Sequence, residues 1–264
     1  MSEEWRKWKH ITKIDPDKKI TPEIIKTIIE TETDAIMISG TQNINKRNVT
    51  KIIEMLKPYD IPKVLEPANV EGVVEKGVDW IFVPTVFNTN NATYINGLHK
   101  MWAKYNKNIN WDIVVPEAYI ILNPNCAAAK YTDAKPLPKE DIIAAAITAE
   151  KFFKIPIIYI EYSGMYGDPE IVKAVKEALT SSHLIYGGGI NTKEKAEEMS
   201  KYATIVVGNT IYEGGIATFI NTMRGTLLKE LAIINRKLSK LKEMSEKNGK
   251  KERLRDKLKF KIKR

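Results

Sequence analysis

A β-branched apolar run that begins at Ile157 turns polar at Glu161, Tyr162 and Ser163, reaches Gly164 and Gly167, and gives way to Asp168 and Pro169. A carboxylate there can accept a proton, and the phenol and hydroxyl beside it can orient a substrate. The glycines let backbone N–H groups come close to a ligand. Two later runs end the same way: Leu184, Ile185 and Tyr186 lead into Gly187, Gly188 and Gly189, and Ile205, Val206 and Val207 lead into Gly208 and Asn209. Each precedes a helical stretch whose unpaired N–H groups favour an anion, so three successive turns suit a phosphate. Near the N-terminus, Asp15 and Thr41 are hard oxygen donors of the kind Mg²⁺ takes together with water and phosphate oxygens. Each residue also has a plainer reading: Asp15, Pro16 and Asp17 can be a turn, and Glu161 a salt-bridged structural acid.

Short apolar runs that can position these groups lie at residues 10–15, 35–39, 63–66, 80–86, 118–122, 156–163, 184–187 and 204–208. Helical periodicity falls between them near 22–32, 45–57, 94–107, 139–153, 169–179 and 192–202. After the third strand there is only a weak segment at 69–77, so the third helix can be missing or replaced by a loop. Eight βα repeats in a body of this length predict an α/β chain folded as a (β/α)₈ barrel of the TIM type. Runs such as Trp80, Ile81, Phe82 and Val83 fit strands buried on both faces. In such a barrel the chemistry gathers at the strand C-termini, which places Lys13, Asp15, Thr41, Glu66, Thr85, Asn88, Asn123, Glu161 with Tyr162 and Ser163, Gly187, Gly188 and Gly189, and Gly208 with Asn209 on the reacting face. Trp5, Trp8, Trp102 and Trp111 can line an apolar groove, although large aromatics are more often core. His10 and His99 have no visible partner, which points to bland hydrogen-bonded roles.

The net charge of +9 is unevenly placed. Residues 224–264 hold 16 Lys/Arg against 5 Asp/Glu, whereas residues 1–223 hold 26 against 28. The expected organisation is therefore a near-neutral barrel domain, 1–223, and a basic C-terminal extension, 224–264. Within the extension Leu227, Leu231, Ile234, Leu238 and Leu241 recur at helical spacing, and residues 250–264 form a more basic end. A basic appendage calls for a polyanionic surface, here a membrane leaflet in preference to nucleic acid. The single Cys126 forms no internal disulfide, the three histidines have no zinc spacing, and no run approaches a membrane span, so a cytoplasmic setting is expected.

Residues 5–17, 38–43, 82–86, 159–164, 186–190 and 207–209 together resemble geranylgeranylglyceryl phosphate synthase, and the resemblance covers about residues 5–223 in order. It implies Mg²⁺-dependent transfer of a prenyl group from geranylgeranyl diphosphate to the 3-hydroxyl of sn-glycerol 1-phosphate, with release of diphosphate. It further implies Asp15 and Thr41 as metal ligands. Lys13, Tyr159, Ile160, Glu161, Tyr162, Ser163, Gly164, Gly189, Gly208 and Asn209 would form the glycerol phosphate site, with Glu161 taking the hydroxyl proton. Bacterial relatives of this family use a heptaprenyl donor, so chain length stays open, with the N-terminal motif favouring the C20 chain. A homo-oligomer, in the first place a dimer, is the expected assembly. The rival enzyme reading is a phosphate-gripping barrel of another biosynthetic pathway, and the rival without catalysis is a barrel that only carries its basic tail to a surface.

Overall fold

Residues 3–31 and 33–223 are described by the computed structural model, and all fall in one unit, Met1–Gly225. The strands are β1 (His10–Ile14), β2 (Ala35–Ser39), β3 (Lys63–Glu66), β4 (Trp80–Val86), β5 (Val114–Ile121), β6 (Ile157–Glu161), β7 (His183–Gly187) and β8 (Thr204–Val207). They pair in parallel in sequence order, and β8 closes on β1 through His10 opposite Ile205. The outer layer comprises α1 (Pro22–Ile29), α2 (Lys46–Leu56), α3 (Leu98–Tyr105), α4 (Ala127–Thr132), α5 (Lys139–Lys151), α6 (Pro169–Ala178), α7 (Lys193–Met199) and α8 (Asn209–Glu213). Between β3 and β4 the chain makes only a 3₁₀ turn at Val70–Gly72, which opens the ring of helices on that side.

Local chemistry sets the helix starts. Thr21 accepts a hydrogen bond from the Ile24 N–H ahead of Pro22, Asn45 and Asn48 form a reciprocal capping box, and Asp168 caps the helix that Pro169 opens. Strand side chains alternate between two cores. One set, including Ile14, Ile36, Ile38, Leu65, Ile81 and Ile160, packs under the helices; the other, including Ile11, Met37, Val64, Phe82, Tyr119 and Tyr159, fills the barrel.

The strand expectations hold at seven of eight positions to within a few residues. β5 begins at Val114, four residues before the expected 118, because Pro116 and Glu117 imitate a turn in sequence while pairing in register with Val83 and Pro84. β6 stops at Glu161, so Tyr162 and Ser163 belong to the following loop. The short helices α4 and α8, of six and five residues, lacked enough periodicity to be read in advance. Trp5 and Trp8 line no groove. Trp5 sits edge-on to Phe82 at 6.0 Å and Trp8 edge-on to Trp80 at 5.4 Å, which places both indoles in the barrel's interior core. The expected extension, 224–264, lies outside the described residues.

Candidate active site

Two cavities open at the strand C-termini, and Lys13, Glu161 and Ser163 line both. The first, about 950 Å³, is apolar and runs from this junction past Pro67, Val73 and Val86 to Leu98, Trp102 and Tyr131. It occupies the side where a helix after β3 would stand. The second, about 920 Å³, is polar and is bounded by Gly164, by Gly187, Gly188 and Gly189, and by Gly208 and Asn209.

Glu161 is 1% exposed. Its Oε2 accepts from the Tyr119 hydroxyl at 2.8 Å and its Oε1 from the Ser163 N–H at 2.5 Å. Tyr119 stacks on Tyr159 with centroids 4.6 Å apart. Burial first, and then the charges of Glu161 and Glu66, push the Tyr119 phenol well above its ordinary value, so it remains a donor. Burial pulls Lys13 down, but the carboxylates of Glu161, Glu66 and Asp15 more than offset this and leave its ammonium firmly charged. The junction therefore joins a fixed carboxylate, a cation and a loop serine.

One glycine in the wall of the polar cavity is obligatory. Gly189 has φ of +55°, and a Cβ there would lie 2.3 Å from the Tyr166 backbone nitrogen. The loops after β6 and β7 are joined by Tyr186, whose hydroxyl accepts from the Gly167 N–H at 2.7 Å and donates to the Gly188 carbonyl at 2.9 Å. The loop after β6 is also held by Asn123, which donates to the Ser163 carbonyl at 2.6 Å.

The other expected site residues divide clearly. Tyr159, Gly164, Gly189, Gly208 and Asn209 line the polar cavity with Lys13, Glu161 and Ser163. Ile160 and Tyr162 do not: their side chains pack in the outer core, because one follows the strand's outward phase and the other lies in the loop against Gly167. Asn88 is structural and pairs with the Ile121 backbone through both ends of its amide. Trp102 lines the apolar cavity, while Trp111 leans on it from an exposed position. His10 bonds Thr33 at 3.0 Å and His99 bonds the Pro84 carbonyl at 3.1 Å. Tyr119 was missed. It is a mid-strand residue, and its only signal was its phase with Ile121, which meant nothing until β5 lay beside β6.

Among the described residues no group of three or more His, Cys, Asp or Glu could hold a metal ion. Asp15 and Thr41 nevertheless sit on neighbouring strand ends, and Gly40 has no room for a Cβ because Asp15 Oδ1 would lie 2.5 Å from it. One carboxylate and one hydroxyl make a small hard-oxygen set that fits Mg²⁺ supplied mainly by water and phosphate, and not a metal held by protein alone.

Residues 3–226 match the PcrB family. The chain is 52% identical over 223 residues to a geranylgeranylglyceryl phosphate synthase of Methanocella arvoryzae, covering 83% of this chain and 97% of that one. It is 44% identical over 211 residues to a heptaprenylglyceryl phosphate synthase of a Geobacillus species, covering 79% and 92%. Its fold is shared with the crystal structure of (S)-3-O-geranylgeranylglyceryl phosphate synthase from Thermoplasma acidophilum in complex with sn-glycerol-1-phosphate, at a TM-score of 0.75 and 24% identity over 84% of this chain and 94% of that one. On the strength of a match across nearly the whole barrel, this chain belongs to the PcrB family, which its relatives populate with prenylglyceryl phosphate synthases.

Proposed function

We propose that the chain transfers a geranylgeranyl group from geranylgeranyl diphosphate to the 3-hydroxyl of sn-glycerol 1-phosphate. The observation that carries this reading is the shared lining of the two cavities by Lys13, Glu161 and Ser163. A phosphate in the glycine-walled cavity and an apolar chain in the other bring an alcohol and an allylic carbon to one place. The acceptor oxygen forms a bond to C1 of the donor, the C–O bond to diphosphate breaks with its electron pair on the leaving group, and the hydroxyl proton passes to Glu161. Tyr119 and Ser163 hold that carboxylate in place, Lys13 balances its charge, and the apolar walls keep water from the weakened allylic carbon. Asp15 and Thr41 would hold Mg²⁺, which when bound supplies charge neutralisation for diphosphate.

A heptaprenyl donor is the second reading, favoured by the Geobacillus relative, and the higher identity to the Methanocella enzyme inclines the choice to C20. Assaying transfer to sn-glycerol 1-phosphate with C15, C20 and C35 diphosphates decides it: kcat/KM should peak at C20. A peak at C35 selects the other donor, and no ether product with any of them removes the proposal. The exposed Phe152 and Phe153 that follow α5 support a homo-oligomer, in the first place a dimer. Among the described residues no helix is long and apolar enough to cross a membrane, and the basic extension supports contact at a lipid surface.

A further inference from the structure

The barrel interior holds carboxyl groups that the proton acceptor role leaves unused. Glu117, inward-facing on β5, is 0% exposed, and neither of its carboxyl oxygens meets a hydrogen-bond donor. Glu66 at the end of β3 is 6% exposed; its Oε2 accepts from the Ser39 hydroxyl at 2.5 Å and its Oε1 meets no donor. These two carboxyl groups lie within hydrogen-bonding reach of each other. Two carboxylates have only acceptors to offer, so the contact closes only if one of them carries a proton.

We propose that Glu117 and Glu66 form a carboxylic acid–carboxylate pair that shares one proton, with the acid on Glu117, and that Glu117 thereby positions Glu66 and keeps a further negative charge away from Glu161. The groups that face the pair are the Lys13 ammonium from β1, the Ser39 hydroxyl from β2, the Tyr119 phenol from β5, and the Tyr159 phenol and Glu161 carboxylate from β6; Phe82, Ile185 and Val206 from β4, β7 and β8 are apolar. Lys13 cannot neutralise every acid, because it also answers to Glu161 and Asp15. Burial, followed by the charge of Glu66, pushes Glu117 well above the carboxylate range. Burial raises Glu66 as well, but Lys13 and the Ser39 hydroxyl oppose that, which leaves the proton on Glu117.

The consequence rests on the proposed reading of Glu161. With Glu117 neutral, Glu161 faces one cation, Lys13, and one further anion, Glu66. With Glu117 charged, a second anion would stand beside Glu161 against the same single cation.

The test is an NMR spectrum of the full chain carrying ¹³C-carboxyl glutamate at pH 7, joined to the pH profile of kcat/KM. A protonated glutamic acid resonance is expected in the wild type and absent in Glu117→Gln, whose amide can still donate to Glu66. The acid limb of the variant's profile should stay where the wild type has it. No protonated carboxyl in the wild type, or one that survives in Glu117→Gln, overturns the pair. An acid limb displaced downward by about one pH unit also overturns it, because it would mean that a charge had been removed. If Glu117→Gln does not fold, the wild-type resonance and its deuterium shift still decide. Full turnover in Glu161→Gln would remove the poising role but leave the resonance to judge the pair.

Discussion

Glu161 has two acceptor positions already taken, by Tyr119 and by the Ser163 N–H, and the remaining lone pairs are free to meet an acceptor hydroxyl. Glu161→Gln retains size and hydrogen bonding but cannot take a proton. Turnover should fall by roughly 10²–10⁴ with little change in glycerol phosphate binding, read by single-turnover assay and calorimetry. Near-wild-type turnover would take Glu161 out of the reaction. Asp15 presents a different case, since its carboxylate lies against Gly40 and lines neither cavity. Asp15→Asn should raise the Mg²⁺ concentration needed for half-maximal rate and weaken the diphosphate donor more than glycerol phosphate. Equal weakening of both substrates would assign Asp15 to the fold and not to the ion.

Elements matter here through the loops they hold together. Tyr186 ties the loop after β6 to the loop after β7 with one hydroxyl, and its ring is fully buried, so Tyr186→Phe keeps the packing and leaves the Gly167 N–H and the Gly188 carbonyl unpaired. A loss of about 1–3 kcal/mol in loop order follows. It should appear as a roughly tenfold rise in KM for glycerol phosphate with kcat and donor KM little changed. A purely structural hydroxyl would lower thermal stability and leave that split absent. At the opposite end of the barrel, the buried Glu150 near the end of α5 accepts N–H bonds from Thr180, Ser181 and Ser182 just before β7. Burial works against its charge, but these N–H groups and Lys151 outweigh it and hold the carboxyl well below its ordinary range. A carboxyl lowered on folding adds stability above its unfolded value of about 4.3, and that stability is lost as pH falls through the folded value. Glu150→Gln should therefore cost about 2–3 kcal/mol at pH 7, and the gap to the wild type should shrink at pH 3. Urea midpoints at the two pH values measure it; a gap independent of pH would mean that the charge contributes nothing.

For the whole molecule, charge divides the chain more sharply than hydrophobicity does: residues 250–264 carry nine Lys/Arg and two acids. Each cation near an anionic leaflet contributes about 1 kcal/mol, and the proposed product is itself a lipid. Deleting residues 249–264 should leave turnover on a short-chain donor unchanged while reducing sedimentation with anionic vesicles, an effect that weakens as salt rises. Equal vesicle binding by both forms at low salt would end the membrane role, and retention on nucleic acid alone would reassign the tail. The barrel itself was legible without coordinates. Its strands are short β-branched runs, its turns are marked by glycine, proline and capping residues, and Glu161, Gly189 and Gly208 stand next to those marks. Such features act over a few residues, so linear order reveals them. What waited for the tertiary structure was anything that depends on closure. Tyr119 meets Glu161 across 42 positions, Glu117 meets Glu66 across a neighbouring strand, and Ile160 and Tyr162 turn outward although they flank Glu161 on both sides. A strand's period of two tells which side chains share a face, but only the closed ring decides which faces meet, and hence which buried acid finds a donor and which must carry its own proton.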